Sequence, residues 1–376
     1  MRILHTSDWH LGISLHNMSL LKEQEFFIEQ IGQIVMDNRI DAVIIAGDVY
    51  DTSISSSEAM RLFNRAMTIL CLEQKVQVLI IAGNHDGAAR LSICSDLLRT
   101  SGLHITGRLV RDIVPVVIGN CAFYCIPYFN IDEVRYLYPE IRIDNYSQAM
   151  QTVLEDIRKN MNTDLKNIVI SHSFVSGAEL SDSDHGAMVG TTNMVPGSIF
   201  DGFYYVALGH LHRPQKLGDR MYYSGSPFKY SFSEAGIDKS VLMIDTDADS
   251  VDKISLPCLH DVREISGTYN DIVAFAAQDS RRDDYVSVHI TDRYATGELH
   301  DFFRGLYPHM AFFSGQHGEE CGISAGSLSS SDVERLDAEA LMKLFMQDVF
   351  PDFKLETEQM ELFRQACLDV EQEDRS

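Results

Sequence analysis

The stretch VLIIAGNHDG, residues 78–87, joins an apolar run to three polar side chains. The run is typical of a strand buried on both faces, and the Ala-Gly pair after it indicates a tight turn. Asn84, His85 and Asp86 follow directly. Ligands of α/β sheets bind at the carboxyl ends of strands, so an amide, an imidazole and a carboxylate at this point predict a functional site.

The same pattern extends through about residue 255, where short β-rich apolar runs alternate with helical patterns. One helical pattern is EQEFFIEQIGQIVMDN, residues 23–38, in which Phe27, Ile31 and Val35 recur at helical spacing. Alternating strands and helices predict an α/β fold with a layered core. The expected strands are, in chain order, MRILHT, DAVIIAG, VQVLIIAG, CAFYCIPY, NIVISH, YYVALG, MYYSGS and VLMIDTD.

The remaining third of the chain has a different pattern. Residues 256–315 predict a small α+β unit, because DYVSVHITD alternates like a strand and ELHDFFRGLYP has helical spacing. Residues 316–330 are rich in glycine and serine, which predicts a flexible linker. Residues 331–376 open with a capping box, Ser331 to Glu334, and contain two amphipathic stretches. Spacing alone favours equally helices that pack on the body and helices that bind a partner.

Composition restricts the classes of function. The 376 residues suffice for two or three folding units, and 45% hydrophobic with 23% charged residues is typical of a globular protein. The sequence has no apolar run of about 18 residues that would predict a membrane span. Its first residues lack the basic and apolar regions of a secretory signal. We therefore expect a cytoplasmic protein that has no membrane partner.

The net charge of −24 argues against a nucleic-acid ligand, since proteins that bind nucleic acid usually present a basic face. Two features weaken this argument. Residues 331–376 hold 13 acidic against 5 basic residues, a net charge of −8. Bound divalent cations would also make an acidic pocket attractive to phosphate. The charge alone therefore does not exclude a nucleic-acid substrate.

Seven cysteines are scattered along the chain, and this odd number predicts reduced thiols rather than a disulfide framework. Cys121 and Cys125 lie on one predicted strand, but no further cysteine or histidine pair stands at zinc-site spacing from them. A structural zinc site is therefore not expected.

Four further strand ends carry the same types of side chain as residues 84–86. LHTSDWH, IIAGDVYD, VISHSF and VALGHLH each join an apolar run to aspartate or histidine. Each motif alone is more typical of a structural residue, but five motifs at strand ends predict one shared site. The candidate site residues are Asp8, His10, Asp48, Asn84, His85, Asp86, His172, His210 and His212.

These residue types suit divalent metal ions. Aspartate, asparagine and histidine offer oxygen and nitrogen ligands without a thiolate, which fits Mn, Fe or Zn better than Ca or Mg. The ligands suffice for two ions with a carboxylate such as Asp48 between them. Two ions about 3.5–4 Å apart activate a water and stabilise both the attacking and the leaving oxygen of a phosphoryl transfer. The donor set therefore predicts phosphoester hydrolysis.

The motifs HTSDWHLG, AGDVYDT, AGNHDG and VALGHLHRPQ, in this order, resemble those of the calcineurin-like metallophosphoesterases. Together with YSGSPFKYSFSE they are similar, more narrowly, to the SbcD family of bacterial DNA-repair nucleases. The resemblance implies an α/β metallophosphoesterase β-sandwich flanked by helices over residues 1–255. It also implies a capping domain for DNA at 256–315 and C-terminal helices at 331–376 that bind the coiled coil of an SbcC-like ATPase.

The resemblance also implies roles for the candidate residues. Two divalent metal ions, expected to be Mn²⁺, would be bound, the first by Asp8, His10, Asp48 and His212 and the second by Asp48, Asn84, His172 and His210. His85 would not bind metal: it would donate a proton to the leaving oxygen of the phosphodiester, or steady that oxygen. Asp86 would orient the His85 imidazole and favour its charged form.

One position departs from part of the family. Archaeal and eukaryotic members carry a second catalytic histidine three residues after the bridging aspartate, where this chain has Asp51. A role for Asp51 stays open. Residues 176–200, between His172 and the following strand, predict a long loop near the metal ions that shapes access of the substrate.

Basic residues that could meet DNA phosphates follow the last histidine motif. Such contacts would give salt-dependent binding without sequence preference, although a solvated turn explains the same residues equally well. The candidates are Arg213, Lys216, Arg220 and Lys229, with His16 and Arg90 as weaker ones.

Three functions are compatible with these features. The first is a DNA exonuclease and endonuclease for double-strand ends and hairpins, a homodimer within a heterotetramer with the ATPase, joined through the helix around residues 50–70. The second is a metallophosphoesterase for a small nucleotide or phosphodiester, which the acidic net charge favours. The third is a scaffold that binds DNA ends and has a vestigial metal site.

Overall fold

The computed structural model describes residues 1–180 and 193–315. The predicted linker, the C-terminal helices and part of the 176–200 loop lie outside these residues.

The strands are β1 Arg2–Thr6, β2 Ser14–Leu15, β3 Met18–Ser19, β4 Ala42–Ile45, β5 Gln77–Ile81, β6 Leu103–Thr106, β7 Val116–Ile118, β8 Cys121–Ile126, β9 Lys166–His172, β10 Tyr205–Gly209, β11 Gln215–Leu217, β12 Met221–Tyr223, β13 Ser240–Asp245, β14 Ser250–Ser255, β15 Val262–Gly267, β16 Tyr285–Ile290 and β17 Met310–Ser314.

Eight helices accompany the strands in the described ranges. They are α1 Leu21–Asn38, α2 Ser57–Met67, α3 Ala88–Leu91, α4 Ser95–Leu98, α5 Ile131–Leu137, α6 Tyr146–Lys159, α7 Tyr269–Gln278 and α8 Gly297–Leu306. A π-helical segment, Thr68–Glu73, continues α2, and short 3-10 helices occur at Arg99–Ser101, Gly197–Phe200 and Phe232–Glu234. Within residues 1–180 and 193–315, every helix is too short or too polar to cross a membrane.

Two six-stranded sheets form the main body. The first has the order β14-β13-β1-β4-β5-β6, and its strands β1, β4, β5 and β6 run parallel. The second has the order β11-β12-β10-β9-β8-β7, with β8, β9, β10 and β12 parallel. All eight strands expected from the sequence are present. The predicted α/β class is therefore confirmed.

Apolar side chains fill the space between the two sheets. Ile44 and Ile81 from the first sheet share one buried cluster with Phe123, Ile170 and Tyr205 from the second. The alternate residues of the same strands point outward and are covered by helices. Because each central strand is buried on both faces, it appears in the sequence as a continuous apolar run.

The helices cover the outer faces with the stripes that their sequences predict. In α1, Phe27, Ile31 and Val35 are buried against the first sheet. In α6, Met150 and Val153 are buried against the second. The result is a β-sandwich with helices on both sides, and the carboxyl ends of β1, β4, β5, β9 and β10 reach the same edge of it.

The segment after residue 256 forms a third sheet, of the three parallel strands β15, β16 and β17. Helices α7 and α8 pack on it, and Val286, Val288 and Phe303 belong to its own buried cluster. The predicted strand at DYVSVHITD and helix at ELHDFFRGLYP are both present. The division of the chain into a catalytic and a capping domain stays a prediction.

Two buried charged contacts join this unit to the main body. Glu23 of α1 accepts hydrogen bonds from the backbone of Leu259 and His260 and lies 2.8 Å from the His260 ring. Lys229 pairs with Asp261 at 2.8 Å. The cysteines in the described residues are free thiols, as their odd and scattered distribution predicts.

Candidate metal centre

The five polar segments predicted from the sequence meet where the strands of both sheets end. Backbone hydrogen bonds tie them together: the amide of Asp8 donates to the Gly47 carbonyl at 3.0 Å, and that of His10 to the Asp48 carbonyl at 2.9 Å. The amide of His210, after β10, donates to Asp8 Oδ1 at 2.9 Å. The first and second sheets are therefore connected through the site itself.

The seven predicted metal ligands form two groups. Within each group of three, the potential ligand atoms lie within 4.8 Å of one another. Asp8, His10 and His212 make the first group, and Asp48, His172 and His210 make the second. Asn84 joins the second group, because its Oδ1 lies 2.9 Å from His172 Nε2 and 3.0 Å from His210 Nδ1.

Asp48 lies between the two groups. Its Oδ2 is 3.2 Å from His172 Nε2 in the second group and 3.6 Å from His10 Nε2 in the first. Its other oxygen, Oδ1, accepts the backbone amide of His85 at 2.9 Å. A carboxylate in this position can bind one ion of each group, which is the place predicted for the bridging ligand.

The residues present fit divalent cations. Asp8 Oδ2 is buried and has no hydrogen-bond partner, a costly state for a carboxylate that a cation would relieve. His10 and His212 direct their Nε2 atoms at each other across 3.2 Å beside it. Two facing imidazole nitrogens and an unpartnered carboxylate are ligands that Mn, Fe or Zn would satisfy together.

The charges of the second group depend on their mutual contact. Burial would raise the pKa of Asp48, but the facing His172 imidazole holds that pKa well below its usual value. Burial would lower the pKa of His172, but Asp48 raises it to about 9. Burial, helped by His172, lowers the pKa of His210 to about 3. Metal ions bind the neutral form of imidazole, so a cation held by Asp48, His172 and His210 would take the place of the His172 proton.

Backbone strain is concentrated at these positions. Asp8, His10, Asp48 and His210 have φ angles of 53°, 42°, 48° and 101°, in the left-handed region that side chains other than glycine avoid. Each such residue costs about 1–3 kcal/mol and persists only where its surroundings hold it. The hydrogen bonds between the strand ends supply that restraint, so the strain marks a site built for ligand geometry.

Two glycines allow the strand ends to approach closely. Gly47 has a φ of 95°, and a Cβ there would also collide with the His172 ring. Gly83 lies against Asp48, and a Cβ there would overlap the carboxylate. At both positions only a glycine leaves room for the neighbouring predicted ligand.

His85 lies at the partly exposed side of the centre. Its Nδ1 is 2.8 Å from the backbone carbonyl of Asp51, and its ring meets the His10 ring edge-on with centroids 4.8 Å apart. Donation from Nδ1 to that carbonyl leaves Nε2 as the atom able to exchange a proton with a ligand. His85 therefore stands beside both groups of ligands without belonging to the two groups of three.

The expected contact between Asp86 and His85 is wrong. The Asp86 carboxylate instead accepts three backbone amides, from Val49 at 3.1 Å, Tyr50 at 2.9 Å and Gly83 at 2.9 Å. Asp86 thus fixes the strand-end turns that carry Asp48 and Asn84. Consecutive side chains in a turn point apart, which the sequence order alone does not reveal.

Asp51 has two contacts with the centre. Besides its carbonyl bond to His85, its Oδ1 lies 3.4 Å from His10 Nδ1. With His10 and His85 it forms a third close group of possible ligand atoms. The Asp51 carboxylate therefore faces the predicted metal ligand His10 through its Nδ1 atom.

The basic residues proposed for DNA differ in availability. Lys229 is buried, bonded to Asp261 and to the Ala235 carbonyl, so its prediction as a phosphate contact is wrong. Arg213 pairs with Glu179 at 2.9 Å and Arg220 with Asp249 at 2.6 Å. These contacts neutralise much of the positive charge that the sequence suggested for this face.

The other candidates lie at the surface. Lys216 lies over the Tyr222 ring at 5.5 Å, and Arg90 donates to the Ser53 carbonyl at 2.7 Å. The His16 ring lies 5.5 Å from the ring of Phe232 and 5.8 Å from that of Phe312, across the junction with the third sheet. Their contact with DNA stays a prediction.

The fold and the paired ligand groups define a metal-dependent hydrolase of phosphoesters. Residues 1–214, more than half of the chain, match the calcineurin-like phosphoesterase family, and the chain belongs to that family. Members of this family use divalent metal ions and hydrolyse phosphoester bonds.

Several solved structures are similar to this one. A novel archaeal phosphodiesterase is 15% identical, with 68% of this chain and all of that chain covered and a TM-score of 0.33. The protein TT1561 of Thermus thermophilus is 12% identical, with 68% and 99% covered and a TM-score of 0.41. GAP50, the anchor in the inner membrane complex of Plasmodium, is 11% identical, with 68% and 89% covered and a TM-score of 0.35.

Divalent cations should stabilise the folded chain, because the ligand groups come together only when it folds. At a free cation concentration 100 times Kd, one site adds about 2.7 kcal/mol to the apparent free energy of unfolding. We expect urea unfolding of chelator-treated protein to shift to higher midpoints as MnCl₂ is added. Identical midpoints with Mn²⁺ and with EDTA would contradict the assignment of a metal centre.

Proposed function

We propose that the chain is a metal-dependent DNA exonuclease and endonuclease of the SbcD type, which hydrolyses phosphodiester bonds at double-strand ends and hairpins. The observation that carries the proposal is the position of His85. It stands at the partly exposed side of the paired ligand groups, with its Nδ1 fixed by the Asp51 carbonyl. A diester needs a proton for its departing alkoxide, and this arrangement offers one beside the place where the phosphate would bind.

The chain's own residues would divide the work as follows. Asp8, His10 and His212 would hold one cation and Asn84, His172 and His210 the other, with Asp48 between them. Two bound cations supply an activated water and charge stabilisation for the phosphate oxygens. His85 would present Nε2–H to the leaving oxygen. Asp86 would keep the turns that carry Asp48 and Asn84 in place.

Two features support DNA as the substrate. The motifs from HTSDWHLG to YSGSPFKYSFSE resemble those of the SbcD nucleases beyond the metal ligands themselves. The third sheet also borders the catalytic body through the rings of His16, Phe232 and Phe312, where a capping domain would meet a duplex. Manganese as the metal and the cytoplasm as the location belong to the same proposal.

The partners belong to the proposal as well. Residues 331–376 would bind the coiled coil of an SbcC-like ATPase, and two copies of each chain would form a heterotetramer. The nuclease subunits would meet through the region around residues 50–70, where Ile54 and Met60 expose 72% and 50% of their surface. Exposed apolar side chains of this size on one helix and its preceding loop suit contact with a second copy.

A second candidate is a phosphodiesterase for a small substrate. The chain carries a net charge of −24, and of the four main basic candidates Lys229 is buried while Arg213 and Arg220 are paired with carboxylates. A small diester needs no extended basic surface, whereas duplex binding draws much of its affinity from cation–phosphate contacts. These observations favour the second candidate over a free-standing nuclease.

One experiment separates the candidates. Purified chain with Mn²⁺ is given end-labelled linear duplex DNA, a hairpin and bis-p-nitrophenyl phosphate, each with an EDTA control. The DNA reactions are repeated with the ATPase partner and ATP. We expect metal-dependent cleavage of DNA. Turnover of the small diester with DNA left intact under every condition would replace the proposal by the second candidate, and no turnover at all would indicate a scaffold with a vestigial site.

A further inference from the structure

The motif YSGSPFKYSFSE, residues 223–234, supplies no predicted metal ligand, yet its last residue lies directly behind the metal centre. Glu234 ends the 3-10 helix Phe232–Glu234 and is completely buried. Its Oε1 lies 3.7 Å from Nδ1 of His212 and also accepts the backbone amide of Tyr230 at 3.3 Å. A fully buried carboxylate is costly unless it is paired, so its retention at this point needs a reason.

Lys239 completes a buried array around the same histidine. Its ammonium group donates to the backbone carbonyl of His212 at 2.8 Å, to Ser226 Oγ at 2.8 Å and to Glu234 Oε2. Lys239 itself is only 6% exposed. His212 therefore has two contacts with the pair. Glu234 lies beside its ring, and Lys239 donates a hydrogen bond to its backbone carbonyl.

The other ring nitrogen of His212, Nε2, belongs to the first group of predicted metal ligands. Nε2 faces His10 Nε2 at 3.2 Å, within the ligand group that contains Asp8. A neutral imidazole carries one proton, so Nε2 offers its lone pair to a cation only when the proton is on Nδ1. That proton then points toward Glu234, and a cation on Nε2 would make Nδ1–H a stronger donor to the carboxylate.

We propose that Glu234 is a positioning residue for the metal centre, which fixes the Nδ1–H tautomer and the ring orientation of His212, while Lys239 holds the carboxylate in place. The inference concerns metal binding at the first ligand group alone. It stands whether the substrate is DNA or a small phosphodiester.

The test is a titration of the full chain with Mn²⁺ by isothermal calorimetry, comparing Glu234→Gln with the unaltered protein. We expect one of the two sites to weaken by about 10- to 100-fold, the usual effect of losing a residue that orients a metal ligand, and the other to keep its affinity. Glu23→Gln is the matched control, because Glu23 is 1% exposed and contacts a histidine, His260, away from the centre. The proposal would be overturned if each site bound Mn²⁺ with the same affinity in Glu234→Gln as in the unaltered protein.

A second variant guards against a folding defect, since Glu234→Gln removes the carboxylate that Lys239 contacts in the interior. In Glu234→Gln/Lys239→Met the buried charges are removed together. We expect this variant to fold and still to show the weakened site, because the Glu234 carboxylate is again absent from the His212 ring. Normal affinity at both sites in the folded double variant would show that the pair serves only stability.

The tautomer can be read without any metal or activity. Nitrogen-15 NMR of the metal-free chain, with the His212 signals identified by their loss in His212→Gln, distinguishes a protonated Nδ1 from a bare one. We expect the unaltered protein to carry the proton on Nδ1 and Glu234→Gln to show a mixture of tautomers. The same single tautomer in both proteins would contradict the role given to Glu234.

Discussion

Replacement of His85 by alanine is expected to lower kcat for a phosphodiester with a poor leaving group by about 10²- to 10⁴-fold, the usual contribution of a positioned acid. This corresponds to about 3–5 kcal/mol in the barrier. The main-chain amide of residue 85 still donates to Asp48 Oδ1 in the variant, because only the side chain is lost. The two ligand groups should therefore bind metal as before, which metal analysis of the purified variant will check.

The dependence on the leaving group identifies the function of the imidazole. A nitrophenolate departs without a proton, whereas the alkoxide of a DNA strand requires one. His85→Ala should therefore slow DNA cleavage far more than hydrolysis of bis-p-nitrophenyl phosphate. An equal loss on both substrates, or a loss of bound metal, would show that His85 acts as a ligand rather than as the acid.

The matched control is His104→Ala. His104 lies on β6, is about half-buried and has a hydrogen bond from its ring to Gln77 at 3.0 Å, remote from the ligand groups. Its replacement removes an imidazole of similar burial without touching the centre. Rates within a few-fold of the unaltered protein on both substrates are expected, and a large loss would mean that general destabilisation explains the His85 result.

Much of this site could be predicted from the sequence because the predicted ligands directly follow the predicted strands. An apolar run such as Val78–Ile81 predicts a central strand, and the residues just after it must lie at its carboxyl end. Parallel strands bring such ends together, so topology alone predicts that Asp8, Asp48 and Asn84 lie near one another. The three motifs from the first sheet and two from the second meet as this reasoning predicts.

Side-chain directions and distant partners could not be predicted in the same way. Asp86 follows His85 directly, yet it turns toward the backbone amides of Val49 and Tyr50. The sequence predicts Lys229 as a phosphate contact, but its ammonium group binds Asp261, 32 residues later, at the junction with the third sheet. The type of a charged residue shows which groups it is able to bind, but the packing of the fold determines which group it contacts.

Glu234 illustrates the same limit. The motif that contains it was visible in the sequence, but nothing in its spacing indicates that it lies behind His212, 22 positions earlier. Only the structure shows that Glu234 and Lys239 are both buried. Buried charges are costly, so such residues merit inspection as supports of a site even without a known role.

Replacement of Asp48 by asparagine is expected to have the largest effect on metal content, because this carboxylate lies between the two ligand groups, 3.2 Å from His172 and 3.6 Å from His10. The amide keeps the shape but removes the negative charge that balances two cations. We expect affinity at both sites to fall by more than about 100-fold, beyond the effect of losing an outer contact. Hydrolysis of any phosphoester should fall to the level of the EDTA control.

The measurement is the number of Mn²⁺ ions retained after gel filtration, together with the calorimetric affinities. Asp41→Asn is the matched control, because Asp41 directly precedes β4, the strand that Asp48 follows, and its carboxylate accepts the backbone amide of Arg2 at 2.8 Å, remote from the ligand groups. Loss of only one ion in Asp48→Asn would assign Asp48 to a single site, and retention of both would refute its bridging position. Loss of both, with Asp41→Asn unchanged, is the result that the geometry demands, since a carboxylate shared between two groups cannot be removed from one of them alone.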